Sequence, residues 1–404
     1  MGKCAGTDGA MIANRAPTRV FVDLAPLSAD GTNGGAAPFV LALLAGLLDR
    51  PGLVLHLLVK PGALAAVGSL QARGARVLLL GQDAFEPRFL LRRRRLLPGA
   101  LRRPLDLLLP DRASLRRLGA DVLFSPLQTA TFHEPGLRHV AVAYDFQDLD
   151  HPQFFTAHER RRRAELRLHL RRADTVVAIS EATKDAAVRR VGVRPERLTV
   201  LPPVAGTRRP LTPEALAAAL APLELSPGGF AVYPANYWPH KNHARLLEAL
   251  AVPPLSEEPS FRLVLCGALE AGRSSLAEEV ERRGLSARVR VLPYQPEETV
   301  TALIQGARLL VFPSLFEGFG IPVLEAFALG TAVACSGLPA LRELAGEGAV
   351  LFDAGDPAAI GRAVRAIWDD PELRRRTADA GSGRARAVLA AGTVGAYAEI
   401  LAGA

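Results

Sequence analysis

Short, unbroken apolar runs alternate with helical stretches along nearly the whole chain. From Arg19 the runs fall at residues 20–24, 53–58, 76–80, 121–124, 140–144, 175–179 and 198–201. After a pause around Pro202, Pro203 and Gly206 they resume at 230–233, 262–266, 289–292, 309–312, 332–335 and 350–352. Apolar runs this short and without alternation mark strands buried on both faces, and the helices between them supply the cover, so parallel sheets are predicted. The simplest architecture is α/β, two doubly wound domains joined near residues 202–210 with a cleft between them. The predicted boundaries are a disordered lead-in at 1–18, a first domain at 19–205, a second at 206–387 and a terminal helical segment at 388–404. Helices at 358–368 and 371–387 close the second half.

Within that frame one segment carries most of the chemistry. Glu317 and Glu325 flank a glycine-rich turn with seven residues between them. The run 309–312 reads as a buried strand, and Pro322 suits the first turn of a helix because its missing N–H has no partner there anyway. A turn at the carboxyl end of a strand that opens a helix is where open α/β sheets bind ligands, and free N–H groups there favour phosphate. Two carboxylates beside an anion would repel it unless they face its neutral hydroxyls, which points to the sugar and ribose rings of a sugar nucleotide. An ordinary turn with solvated glutamates is the alternative. It fits Glu325 poorly, because that residue lies among Val323, Leu324, Ala326 and Phe327, where an unpaired carboxylate is costly.

Other candidates are weaker one by one. Lys241 precedes a helical pattern with Leu246, Leu247 and Leu250, so its ammonium can reach the same cleft; a solvated helix-start lysine is the alternative. Gly34 and Gly35 follow the first strand and would let backbone approach a ligand closely. His240 and His243 have metal-like spacing without a nearby carboxylate or thiol, so capping and packing are expected of them. Asp148 and Asp150 spell Asp-x-Asp, a pattern common by chance. Ser180 lacks a Gly-x-Ser-x-Gly elbow and reads as a helix cap.

The segment 314–330 resembles the Glu-x7-Glu signature of the retaining, family-4 type glycosyltransferases with the GT-B fold, and its mannosyltransferase-like members in particular. Residues 173–180, 233–243 and 351–356 are similar, in order, to that family's interdomain-side strand, donor-phosphate loop and last strand. The resemblance spans about 19–400 and is strongest after Ala173. It implies two Rossmann-like domains, with the last segment crossing back to the first. It also implies that Glu325 holds the ribose, that Glu317 serves the transferred sugar, and that Lys241 binds the diphosphate. Gly318, Phe319, Gly320, Ile321, Val323 and Leu324 would line the donor site, with Gly34, Gly35, Tyr144 and Asp145 on the acceptor side. Two positions depart from the family. Asn236 stands where many relatives carry an arginine, and Tyr144 stands in place of a histidine. A tyrosine hydroxyl can bond a sugar, but its pKa near 10 suits no proton shuttle at neutral pH.

Composition sets the remaining bounds. The chain has 404 residues, 49% of them hydrophobic, which is ample for packed cores. The longest nearly apolar run, 36–48, is too short to cross a bilayer, and no secretory leader is visible, so a cytoplasmic location is expected. Three scattered cysteines give no disulfide or zinc framework. The net charge of +8 includes two leucine-interleaved clusters, at Arg92, Arg93, Arg94, Arg95, Arg102 and Arg103, and at 160–163 with Arg167, Arg171 and Arg172. Such faces suit contact with an anionic membrane surface, with solvated helix faces as the plainer reading. Nucleic acid is disfavoured, since 6% of residues are aromatic and no recognition module is present.

The expectation is a metal-independent, retaining glycosyltransferase of polysaccharide or cell-envelope synthesis. It would use a nucleoside-diphosphate sugar as co-substrate and no cofactor, take a glycan or lipid-linked acceptor, and favour mannose. A synthase of small soluble glycosides and a catalytically silent sugar-nucleotide-binding protein are the competing readings.

Overall fold

The computed structural model describes residues 16–27, 35–80, 114–128, 131–203, 208–267 and 276–403. Seven strands form the first sheet: β1 (Thr18–Asp23), β2 (Leu53–Val59), β3 (Arg76–Leu79), β4 (Val122–Ser125), β5 (Arg138–Ala143), β6 (Thr175–Ala178) and β7 (Leu198–Val200), in the order β3-β2-β1-β4-β5-β6-β7. Six form the second: β8 (Ala231–Pro234), β9 (Leu263–Cys266), β10 (Val289–Leu292), β11 (Leu309–Phe312), β12 (Val333–Ser336) and β13 (Ala349–Phe352), ordered β10-β9-β8-β11-β12-β13. Every pairing is parallel. All thirteen strands fall on the apolar runs of the sequence.

Burial on both faces explains those runs. In β1, Val20 and Val22 enter the main apolar cluster while Phe21, between them, enters a second cluster on the other face. β5 repeats the arrangement, with Val140 and Val142 on one side and Ala141 and Ala143 on the other. Successive side chains point to opposite faces, so only a strand covered twice can be apolar throughout.

Each sheet reverses its strand order once, between β1 and β4 and between β8 and β11. Crevices at such switch points bind ligands beyond the carboxyl ends of the strands. The Lys241 loop follows β8 and the Glu317 turn follows β11, so the two lie on either side of the second switch point.

The end of the chain returns to the first sheet. The helical stretch Pro371–Ala402 is long and apolar enough by length and composition to cross a membrane, but it is broken at Gly392, whose φ is 65°. The terminal helix Thr393–Ala402 then packs on the helix Ala36–Leu48 and on β1. Tyr397 and Leu401 are fully buried, and Arg138 of β5 donates to the carbonyls of Ile400, at 2.7 Å, and Leu401.

Candidate functional site

The helix Ile321–Ala328 starts where the glycine-rich turn ends. Gly320 has φ 107°, and a Cβ there would lie 2.5 Å from Leu341 Cδ2, so both conformation and space call for glycine. Pro322 occupies the first turn, as its missing N–H predicts. The N–H groups of Val323 and Leu324 donate to the Gly320 carbonyl, and both side chains are buried. These two residues therefore anchor the helix start, and the N–H groups of Gly320 and Ile321 donate to no described residue. Phe319 is also buried, packed into the main core.

Lys241 reaches this turn. Its Nζ lies 2.6 Å from Glu317 Oε1, with about an eighth of each side chain exposed (14% and 12%), and 5.4 Å from the Phe312 ring centre. The loop holding Lys241 is fastened by its neighbour. Asn242 takes a left-handed backbone, φ 61°, and its buried Nδ2 donates to the carbonyls of Pro313 and Ala354, each at 2.9 Å. Asparagine is among the few residues that tolerate this conformation. Tyr233 adds a bond from its hydroxyl to the Lys241 carbonyl at 2.7 Å. The flanking histidines play supporting parts. His243 is buried against Tyr233 and Tyr237 and held neutral, its pKa pushed down to about 3 chiefly by burial. Burial, then the charge of Lys241, likewise lowers His240 to about 3, and its carbonyl accepts the Leu315 N–H.

Glu325 has a partner that sequence reasoning missed. Arg208 Nε approaches its Oε1 at 3.0 Å, both side chains being largely buried. Arg208 Nη1 donates to the Glu297 carbonyl at 3.0 Å and to Thr301 Oγ1 at 3.2 Å, which fixes the guanidinium on the helix Glu297–Gly306. Burial raises the Glu325 carboxyl above the usual carboxylate range, and Arg208 opposes that rise. The buried glutamate is thus compensated, as its apolar neighbours demanded. Nothing local to Arg208 announces this role, because the contact is made across more than a hundred residues of chain.

The first sheet meets this turn directly. A Cβ on Gly318 would lie 2.1 Å from the Tyr144 carbonyl oxygen, and Ser180 Oγ donates to the Gly318 carbonyl at 2.7 Å. Ser180 caps its helix by accepting from the Thr183 N–H, as read from the sequence, and bridges the two halves as well. Tyr144 therefore touches the turn by its backbone. Its hydroxyl donates to the Pro126 carbonyl at 2.7 Å instead of standing open toward a ligand. Asp145 accepts from Arg163 Nη1 at 2.9 Å. His151 extends from the same side, its Nε2 3.3 Å from the Leu315 carbonyl, and was not anticipated either. Gly35 faces Ile321 Cδ1 across the cleft, whereas Gly34 lies outside the described residues.

The two basic clusters fare differently. Arg92, Arg93, Arg94, Arg95, Arg102 and Arg103 lie outside the described residues. In the second cluster, Arg163 and Arg167 turn inward, so the expectation of one uniform basic face needs correction: Arg167 pairs with the buried Asp148, and Arg163 with Asp145. Asp150 pairs with Arg190. The two carboxylates of the Asp-x-Asp are thus each spent on a different arginine. Arg160, Arg161, Arg162, Arg171 and Arg172 remain exposed.

The comparisons with known proteins agree with this geometry. Residues 225–384 match the family model "Glycosyl transferases group 1" and residues 63–209 match "Glycosyltransferase Family 4", together about three quarters of the chain. The chain is 29% identical over 237 residues to O-antigen chain mannosyltransferase B of Escherichia coli, a match covering 58% of this chain and 62% of the relative. It is 31% identical over 251 residues to D-inositol 3-phosphate glycosyltransferase of Streptomyces bingchenggensis, covering 57% of this chain and 54% of that one. These matches thus span between half and two thirds of the relatives' length. A solved structure of Anabaena Alr3699/HepE in complex with UDP and glucose superposes with a TM-score of 0.70 at 17% identity, covering 96% of this chain and 100% of that one. With two parallel Rossmann-like sheets, a Glu-x7-Glu turn at the second switch point and both family models matched in order, the chain belongs to the family-4 type of GT-B glycosyltransferases.

Proposed function

We propose that this protein is a retaining, metal-independent glycosyltransferase that moves a sugar, with mannose favoured, from a nucleoside diphosphate to a hydroxyl of a glycan or lipid-linked acceptor. The observation that carries the reading is the convergence of Lys241 and Glu317 at the carboxyl ends of β8 and β11, beside helix-start N–H groups that donate to no described residue. A preorganised cation there stabilises the charge that grows on the departing diphosphate. Glu317 offsets positive charge at the anomeric carbon, and Glu325 holds the ribose. The bond from the anomeric carbon to the phosphate oxygen breaks, the acceptor oxygen bonds to the same face of that carbon, and the acceptor proton passes to the leaving phosphate. No step calls for a divalent ion or for a protein base.

The name of the Escherichia coli relative supports a mannose donor and a growing glycan acceptor. The exposed arginines of the helix Ala157–Arg172 support contact with an anionic membrane surface where a lipid-linked acceptor would reside. A small soluble acceptor is the second reading, favoured by the D-inositol 3-phosphate relative. The test is transfer from a panel of nucleoside-diphosphate sugars, with product stereochemistry read by NMR and excess chelator in a parallel arm. Retention and undiminished turnover under chelation are expected. Inversion, or activity lost to chelator and restored by Mn²⁺ or Mg²⁺, overturns the reading, and binding without any turnover favours a silent sugar-nucleotide binder.

A further inference from the structure

Arg208 lies on the connection from β7 to β8, and its side chain enters the donor half. One guanidinium nitrogen is fixed on Glu297 and Thr301, and Nε faces Glu325. We propose that Arg208 is a positioning residue for the donor nucleotide: it holds the Glu325 carboxylate in place for the ribose diol and thereby sets a preference for ribonucleotides over 2′-deoxyribonucleotides. This rests on the reading of Glu325 as the ribose residue.

A carboxylate with 13% of its side chain exposed and apolar residues on either side in sequence carries a desolvation penalty that favours its neutral form. Glu297, at the start of the helix Glu297–Gly306, adds a like charge that works in the same direction. Arg208 is the opposing charge, and its two anchors on that helix keep it within 3.0 Å. Only the ionised glutamate presents two oxygens that both accept, one for each ribose hydroxyl. A neutral glutamic acid must donate from one oxygen, and so loses part of what distinguishes a diol from a deoxy sugar. The arginine also leaves Nη2 without a hydrogen bond to any described residue, so a ligand oxygen can take it while Nε stays with Glu325.

The experiment measures, by calorimetry, the affinity of UDP and of GDP and of their 2′-deoxy counterparts for the full chain from pH 5.5 to 8.5. In Arg208→Met, affinity for the ribonucleotide should fall roughly ten- to a hundredfold at the acid end of the range, the loss of the one opposing charge beside a buried carboxylate. The ribo/deoxy ratio should approach one, and both effects should shrink as rising pH restores the glutamate charge. Arg208→Lys should keep most of the ratio. A merely structural role would weaken both nucleotides alike at every pH, and an unchanged ratio in Arg208→Met across the range overturns the proposal. Glu325→Gln tests the underlying reading separately. It should abolish the preference at every pH, and an unchanged ratio there would remove Glu325 from the ribose, whatever Arg208 does. Should Arg208→Met fail to fold by thermal melting, Arg208→Gln, which keeps a donor toward Thr301 without the charge, supplies the same ratio test.

Discussion

The two glutamates of the turn look alike in sequence and differ in company. Glu317 is paired with Lys241, the lysine proposed to meet phosphate, and Glu325 with Arg208, an arginine held by the helix Glu297–Gly306. In Glu317→Gln the lysine is released from its competing carboxylate, so free nucleoside diphosphate should bind as well as before or more tightly. Turnover should still drop about a hundredfold, on the order of 3 kcal/mol, as for removal of one preorganised stabilising group. Lys241→Met should weaken nucleotide binding and turnover together, and Glu325→Gln should weaken free nucleotide and donor in parallel. Calorimetry beside steady-state kinetics separates these patterns. A Glu317→Gln protein that loses the bare nucleotide while Glu325→Gln binds it normally would reverse the two assignments.

At the scale of elements, the Lys241 loop shows how a fold aims a side chain. Asn242 joins the end of β8 to the ends of β11 and β13 through its two carbonyl partners, so Asn242→Ala strands the Pro313 and Ala354 oxygens in a buried place. The expected cost is about 1–3 kcal/mol in denaturant unfolding, with a further loss of turnover as Lys241 drifts. An Asn242→Ala protein of unchanged stability and turnover would show that the loop is held elsewhere. The strands and the turn were legible in advance because their signals are local: apolar runs covered on two faces, a proline and glycines at a helix start. Five features were not legible. Arg208 meets Glu325, His151 meets Leu315 and Ser180 meets Gly318 only after distant segments pack together. The arginine cluster read as one face divides because Asp145 and Asp148 draw Arg163 and Arg167 inward. Periodicity reports which side of a helix is apolar, and it cannot report a buried carboxylate on the neighbouring element. The terminal segment, read as continuous from 388, breaks at Gly392 because the chain turns there to reach the first sheet.

Across the whole molecule, the halves touch where the chemistry is proposed. Ser180 and Thr183 both donate to the Gly318 carbonyl, and Glu343 accepts from the N–H groups of Glu181 and Ala182 at the start of the facing helix. Gly318→Ala would set a methyl carbon 2.1 Å from the Tyr144 carbonyl, a contact only a shift of backbone can relieve. That variant should bind free nucleotide, whose proposed site lies on the second sheet, yet lose turnover and open in small-angle scattering; full activity would show that closure at Gly318 is dispensable. The proposed membrane contact belongs to the same scale, because it would fix how the cleft is presented to the proposed lipid-linked acceptor. On the helix Ala157–Arg172, Arg161, Leu168 and Arg172 lie on one face by helical spacing, and Leu168 is 47% exposed. An exposed leucine among arginines is the composition of a face that rests on anionic headgroups. Serine at Arg161 and Arg172 should weaken binding to anionic vesicles by about 1 kcal/mol per arginine, and the effect should fade as salt shortens the screening length. Donor affinity should stay unchanged, because neither pairs with Glu317 or Lys241. Vesicle pelleting that is equal before and after substitution would return these arginines to an ordinary solvated face and shift weight toward a small soluble acceptor.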